Sequence, residues 1–271
     1  MPLNCGILLN SASASGLFQS GAGCIQTSLI KVVGGYTMAC ADPCPLAGVK
    51  AFPDPQAALP APDYGACGDS ANITINGGQT GTLTPGTSCS KIWVSANATL
   101  EFDPGLYVRG GAGLDVSGLG IITGSDRSFY LTQNSGVPDA ITISGGATIM
   151  LSANAGGPLP GILFYHDRGS TGNVTHRFTG DSNMELSGGL YFPSQTIHFS
   201  GGSNPTDSQA MIIADTVEFT GSTVVDFDDV TTANPLLAQA TLREESSGAR
   251  YRSGQAVPIE CDRFKSNRFE T

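Results

Sequence analysis

Charge is scarce in this sequence. Asp, Glu, Lys and Arg together make 13% of 271 residues, about half the usual share. Nucleic-acid binding needs a basic footprint, and a net charge of −10 with only 13 Lys and Arg offers none. The acidity is read as solubility and mutual repulsion. Long helices need strong helix formers and i,i+4 charge pairs, and the chain supplies few. No apolar run reaches 18 residues, so no membrane-spanning helix is expected. The opening Met1-Pro2-Leu3-Asn4-Cys5 has neither a basic n-region nor an apolar h-region, so an exported form is expected to be a trimmed one. There is no G-x-S-x-G and no phosphate-binding Gly loop leading into a helix. No cofactor is expected.

Glycine is abundant: 36 residues, roughly twice the usual ~7% share. With small and β-branched residues around it, this composition suits short strands and tight corners. A short pattern recurs, with an apolar residue, then Ser, Thr or Asn, then a small residue. Copies are Val94-Ser95-Ala96, Val116-Ser117-Gly118, Ile143-Ser144-Gly145, Phe178-Thr179-Gly180, Phe199-Ser200-Gly201 and Phe219-Thr220-Gly221, with Ile75-Asn76-Gly77 a weaker early one. The polar positions 76, 95, 117, 144, 179, 200 and 220 are separated by 19, 22, 27, 35, 21 and 20 residues. The two long steps carry insertions. Period-2 alternation, as in Ile141-Thr142-Ile143 and Val217-Glu218-Phe219, marks strands with one buried face. A unit this short cannot bury its apolar face alone, but stacked units can. The expected fold is therefore all-β, a parallel β-helix (solenoid) of right-handed sense with coils of roughly 20 residues. The competing architecture is a β-sandwich. One domain is expected over 1–235.

Residues 1–38 are read as the first turns of the same solenoid. Residues 39–66 hold Pro43, Pro45, Pro53, Pro55, Pro60 and Pro62. Proline removes a ladder donor, so this stretch is expected to be an extended arm across the outside or over one end, stapled by cysteines. Residues 236–271 carry the only basic stretch and are read as a C-terminal cap or tail. Seven cysteines are present: Cys5, Cys24, Cys40, Cys44, Cys67, Cys89 and Cys261. They lack paired C-x2-C knuckles, so disulfides in an oxidising compartment are expected and no metal. The sequence leaves connectivity open. Cys67–Cys89 is favoured because the two flank a candidate strand pair, and Cys5–Cys24 and Cys40–Cys44 follow, with Cys261 left over.

An ordered set of segments resembles the β-rich extracellular region of the TadG-like proteins of Flp/Tad pilus assembly. They run from Cys5-Gly6-Ile7-Leu8-Leu9-Asn10-Ser11-Ala12-Ser13-Ala14-Ser15-Gly16-Leu17, through Asp54-Pro55-Gln56-Ala57-Ala58-Leu59-Pro60-Ala61-Pro62, Leu83-Thr84-Pro85-Gly86 and Pro104-Gly105-Leu106-Tyr107-Val108. The set ends with Gly161-Ile162-Leu163-Phe164-Tyr165-His166-Asp167-Arg168, Leu190-Tyr191-Phe192-Pro193 and Ile212-Ile213-Ala214-Asp215. The resemblance covers about residues 3–230. It implies a bacterial extracellular or cell-surface adhesion module whose partners are pilus or cell-envelope components and surface glycans. It brings no catalytic residues.

The alternative is a β-helix that binds or degrades polysaccharide. Glycan hydrolysis needs two converging acids, and Asp226, Asp228 and Asp229 form the best local acidic cluster for a ligand or metal. The cluster is read, ahead of that, as a strand end entering a polar loop. His166-Asp167-Arg168 is the second candidate, since His beside Asp suits acid–base work. Neighbours on a strand point to opposite faces, however, so the trio is read as an anchor for the inserted loop. His176 and His198 are expected on the surface. An ice-binding ladder would need regular Thr-x-Thr rows, and the threonines are scattered.

Overall fold

The computed structural model describes residues 7–22, 24–27, 29–54, 56–63, 65–67, 71–133, 140–180, 183–201, 210–221 and 225–226. Within them the protein is all-β. A 19-stranded sheet and a 3-stranded sheet hold every strand, and all pairings recorded among the described residues are parallel.

The pairings follow the sequence repeat. Ile75 registers with Val94, Val94 with Val116, and Val116 with Ile143. Phe178, Phe199 and Phe219 continue the row. Each of these residues immediately precedes one of the recurrent Ser, Thr or Asn positions, so the repeat steps are the register steps. A second ladder aligns Gly81, Leu100, Ile122, Ile149 and Met184. A third aligns Tyr107, Phe129, Phe164, Leu190 and Ile212. The inward residues of all three ladders make one core cluster. Along it Phe178, Phe199 and Phe219 stack with ring centroids 5.0 and 5.3 Å apart.

The corner after the first ladder is built from backbone. The amides of Ser95, Ser117, Ser144 and Thr179 donate to the carbonyls of Ile75, Val94, Val116 and Ile143. Two consecutive residues then take positive φ: Gly77 and Gly78, Ala96 and Asn97, Gly118 and Leu119, Gly145 and Gly146. Glycine enters this region freely because it has no Cβ. It also permits close approach, for a Cβ on Gly145 would lie 3.0 Å from the Gly118 nitrogen.

The order in space differs from the order in sequence. Ile7–Leu9 and Leu17–Ser20 pair with Ala210–Gly221: Ile7 registers with Ile212 and Leu17 with Val217. Ile30–Val32 and Tyr36–Thr37 follow them, and Leu46–Ala47 comes after Ile30–Val32. Residues 7–47 therefore continue the ladders beyond Ala210–Gly221 and are not the first turns. Pairing also persists into the proline-rich stretch, through Ala41–Asp42 and Leu46–Ala47. The proline arm proper begins near residue 48 and leads to Ile73–Ile75, the last row at the opposite end among the described residues.

Two disulfides are defined, Cys24–Cys40 and Cys67–Cys89. The first replaces the expected Cys5–Cys24 and Cys40–Cys44 pairs. Parallel register of Ile25 with Ala41 brings residues 24 and 40 together, with Cα atoms 4.8 Å apart. Cys44 is also disulfide-bonded. Cys5, Cys261 and the 236–271 tail lie outside the described residues.

Candidate functional site

The most elaborate polar arrangement lies where the arm crosses the outside of the third ladder. An outward row there is apolar: Val108, Tyr130, Tyr165, Tyr191 and Ile213 are in register and all buried. Tyr130 and Tyr165 lie 5.6 Å apart by centroid, and Tyr165 and Tyr191 stack at 4.6 Å. Leu159 of the inserted loop joins this second cluster, and Leu59 of the arm packs against it.

Arg168 closes the arm over these rings. Its guanidinium sits 5.5 and 5.4 Å from the Tyr165 and Tyr191 centroids, a cation–π position. Its Nε donates to Tyr191 Oη at 2.6 Å and pairs with Asp54 Oδ2 at 3.0 Å. Its Nη atoms donate to the carbonyls of Leu59, at 3.3 Å, and of Gln56. Tyr191 Oη in turn donates to Asp54 Oδ2 at 2.5 Å. Burial pushes the Tyr165 hydroxyl up to about 12, and burial with the Asp54 hydrogen bond raises Tyr191 as well.

The expected trio is thus split three ways. Arg168 holds the arm. Asp167 is engaged by its own surroundings: Oδ2 accepts from Thr132 Oγ1 at 2.8 Å and Oδ1 from the Gly169 amide at 2.9 Å. His166 is fully buried in register with Leu131. Its ring lies 5.4 Å from that of His176, and Phe192 adjoins both.

His176 is a core residue, not the surface residue expected. It stands two positions before Phe178, so both side chains face inward, and its Nδ1 accepts the Ile141 amide at 3.2 Å. Neither His166 nor His176 has a hydrogen-bond partner at Nε2. Burial lowers His166 to about 4, partly opposed by Asp167, and lowers His176 to about 3, helped by the nearby His166.

His198 does face outward. It accepts from Arg177 Nη1 at 3.0 Å through Nδ1, and its Nε2 lies 2.9 Å from Thr220 Oγ1. Its pKa is lowered by burial against the opposing pull of Glu218. Arg109 is buried too, with a Nη atom donating to the Ser90 carbonyl, and burial lowers it to about 10. Beside it, Phe102, Leu114 and Phe164 line a cavity of about 10 Å³, room for about a single water.

Asp226 lies in Val225–Asp226, whose backbone pairs with Ile25–Gln26. Its side chain, Asp228 and Asp229 lie outside the described residues. Among the described residues no three His, Cys, Asp or Glu side chains gather as metal ligands, and no helix is long and apolar enough to cross a membrane.

The arm clamp has a sequence signal that alternation alone misses. Leu163-Phe164-Tyr165 is apolar on both strand faces, which marks a strand covered on two sides. No family model, curated protein or solved structure matches this chain.

Proposed function

We propose that the chain is a non-catalytic structural and adhesion module of the bacterial cell surface, built as a right-handed parallel β-helix and associated with pilus assembly. The observation that carries the reading is the coincidence of sequence repeat and parallel register over seven rows, from Ile75 to Phe219. Such a stack offers long, regular side walls, the form in which solenoids present extended binding surfaces. The arm sealed over the tyrosine row fits a passive scaffold. So does the engagement of Asp167 by Thr132 and Gly169, because a general acid or base must reach substrate. Two disulfides suit an oxidising exterior.

Photo-crosslinking tests the reading. A photoreactive group at Trp93, on an outer wall, is placed in the tagged chain on piliated cells. Capture of a pilus or envelope component is the expected result. Depolymerisation of an acidic polysaccharide by the purified chain, lost in Asp167→Ala, would transfer the protein to the polysaccharide-degrading class. A crystal structure with two face-packed antiparallel sheets would refute the β-helix.

A further inference from the structure

We propose that residues 7–52 are an exchangeable end cap, able to dock on the Ala210–Gly221 edge of a second copy of this chain. The proposal rests on the pairing order and is independent of the functional reading.

The cap is seated by parallel strand pairing and by the apolar core that Ile7, Leu9 and Leu17 share with Ile212, Val217 and Phe219, and Ile25–Gln26 also pairs with Val225–Asp226. Ile7, Leu8 and Leu9 register with Ile212, Ile213 and Ala214, and Leu17 to Ser20 with Val217 to Thr220. A second copy presents the same edge with the same register. That edge needs a cover, for Ile212, Val217 and Phe219 are at most 2% exposed with the cap in place, and a bare parallel edge of this kind pairs with whatever strand is offered. The far side of the cap is blunted: Pro43 and Pro45 flank its last rows, Ala41–Asp42 and Leu46–Ala47. Proline lacks the ladder donor. The cap thus ends a ladder and does not extend it.

Each disulfide whose two partners are described stays within one part: Cys24–Cys40 closes within the cap, and Cys67–Cys89 closes within the body. The arm divides in the same way. Phe52 belongs to the cap, exchanging two hydrogen bonds with Asn10, at 2.8 and 3.2 Å. Asp54, Gln56 and Leu59 belong to the body, through Arg168 and Tyr191. Pro53 lies between. The tether is also long. From Gly86–Ser88 to Ile7–Leu9 the third ladder has seven rows, spanning roughly 29 Å at ~4.8 Å per row. The 14 residues from 53 to 66, between Phe52 of the cap and Cys67 of the body, reach roughly 46 Å when extended. Once the Arg168 clamp opens, a tether longer than the span it bridges lets the cap reach a neighbour.

The test uses two full-length variants of different mass, Phe18→Cys and Glu218→Cys, at positions that are outward register partners. They are mixed, unfolded in urea without reductant, refolded together and oxidised. The expected product is a heterodimer joined between positions 18 and 218, identified by peptide mass, whose yield rises with protein concentration. Adding Arg168→Ala to both chains should raise that yield several-fold. The double variant F18C/E218C in one chain is the control. If it closes internally at every concentration while the mixture yields no heterodimer, the proposal is overturned. If the double variant does not close, light scattering of the refolded unaltered chain decides. A mass that stays monomeric up to millimolar concentration overturns the proposal, and a concentration-dependent dimer sustains it.

Discussion

Leu119 is a large apolar residue held at φ 64° with 55% of its surface exposed. It suffers the left-handed penalty of a side chain with a Cβ and has little packing to lose. Leu119→Asn is expected to raise stability by about 0.5–1 kcal/mol, read as a higher midpoint in urea unfolding. Gly145 presents the opposite case. Gly145→Val adds a β-branched side chain at φ 64°, against the Gly118 nitrogen, and is expected to cost about 1–3 kcal/mol in the same measurement.

The two buried histidines set an acid limit. Their folded pKa values lie below the unfolded value near 6.5, at about 4 for His166 and about 3 for His176. Between those limits the unfolded chain binds more protons, so stability is full above about pH 6.5 and falls as the pH drops. The slope approaches ~1.4 kcal/mol per pH unit for each histidine. The titratable groups bearing on the pair are His166 and His176 themselves and Asp167. Thermal midpoints from pH 7 to pH 4 should fall more steeply for the natural chain than for His176→Leu. Parallel slopes would refute the assignment. Strand phase makes the burial of His176 legible, because Phe178 two residues on is a core aromatic. Side-chain polarity alone suggests the opposite.

At the scale of elements, the arm clamp joins cation–π, ion-pair and hydrogen-bond contacts on one guanidinium. Arg168→Ala or Asp54→Ala should cost about 1–3 kcal/mol. Proteolysis should then cut first within 53–66, where the natural chain resists. The repeat over 75–220 was readable because its small-residue corners coincide with the register. Cys67–Cys89 is legible too, because the two cysteines flank a strand pair, but the Cys24–Cys40 pair is not. Cys24 and Cys40 meet through strand pairing sixteen residues apart, a relation that depends on which rows are neighbours. Periodicity identifies a strand but says nothing of where in the stack it sits, so Ile7–Leu9 looked like a beginning.

For the whole molecule, Ile7–Leu9 and Leu17–Ser20 are neighbours of Ala210–Gly221. A circular permutant of residues 7–226 that joins Asp226 to Ile7 through a flexible linker and opens between Phe52 and Asp54 should therefore fold. Its circular dichroism spectrum should match the natural one, with a melting temperature within a few degrees. A permutant opened between Phe199 and Gly201, inside the continuous strand Asn183–Gly201, should not.

The pairing of Ile7 with Ile212 also governs biosynthesis. Translation at roughly 5–20 residues per second separates the appearance of these partners by some 10–40 s. During that interval Ile7–Leu9 exists without its seat. The row it joins can close only after Ala210–Gly221 has been made, so this part of the stack is not completed in the order of synthesis.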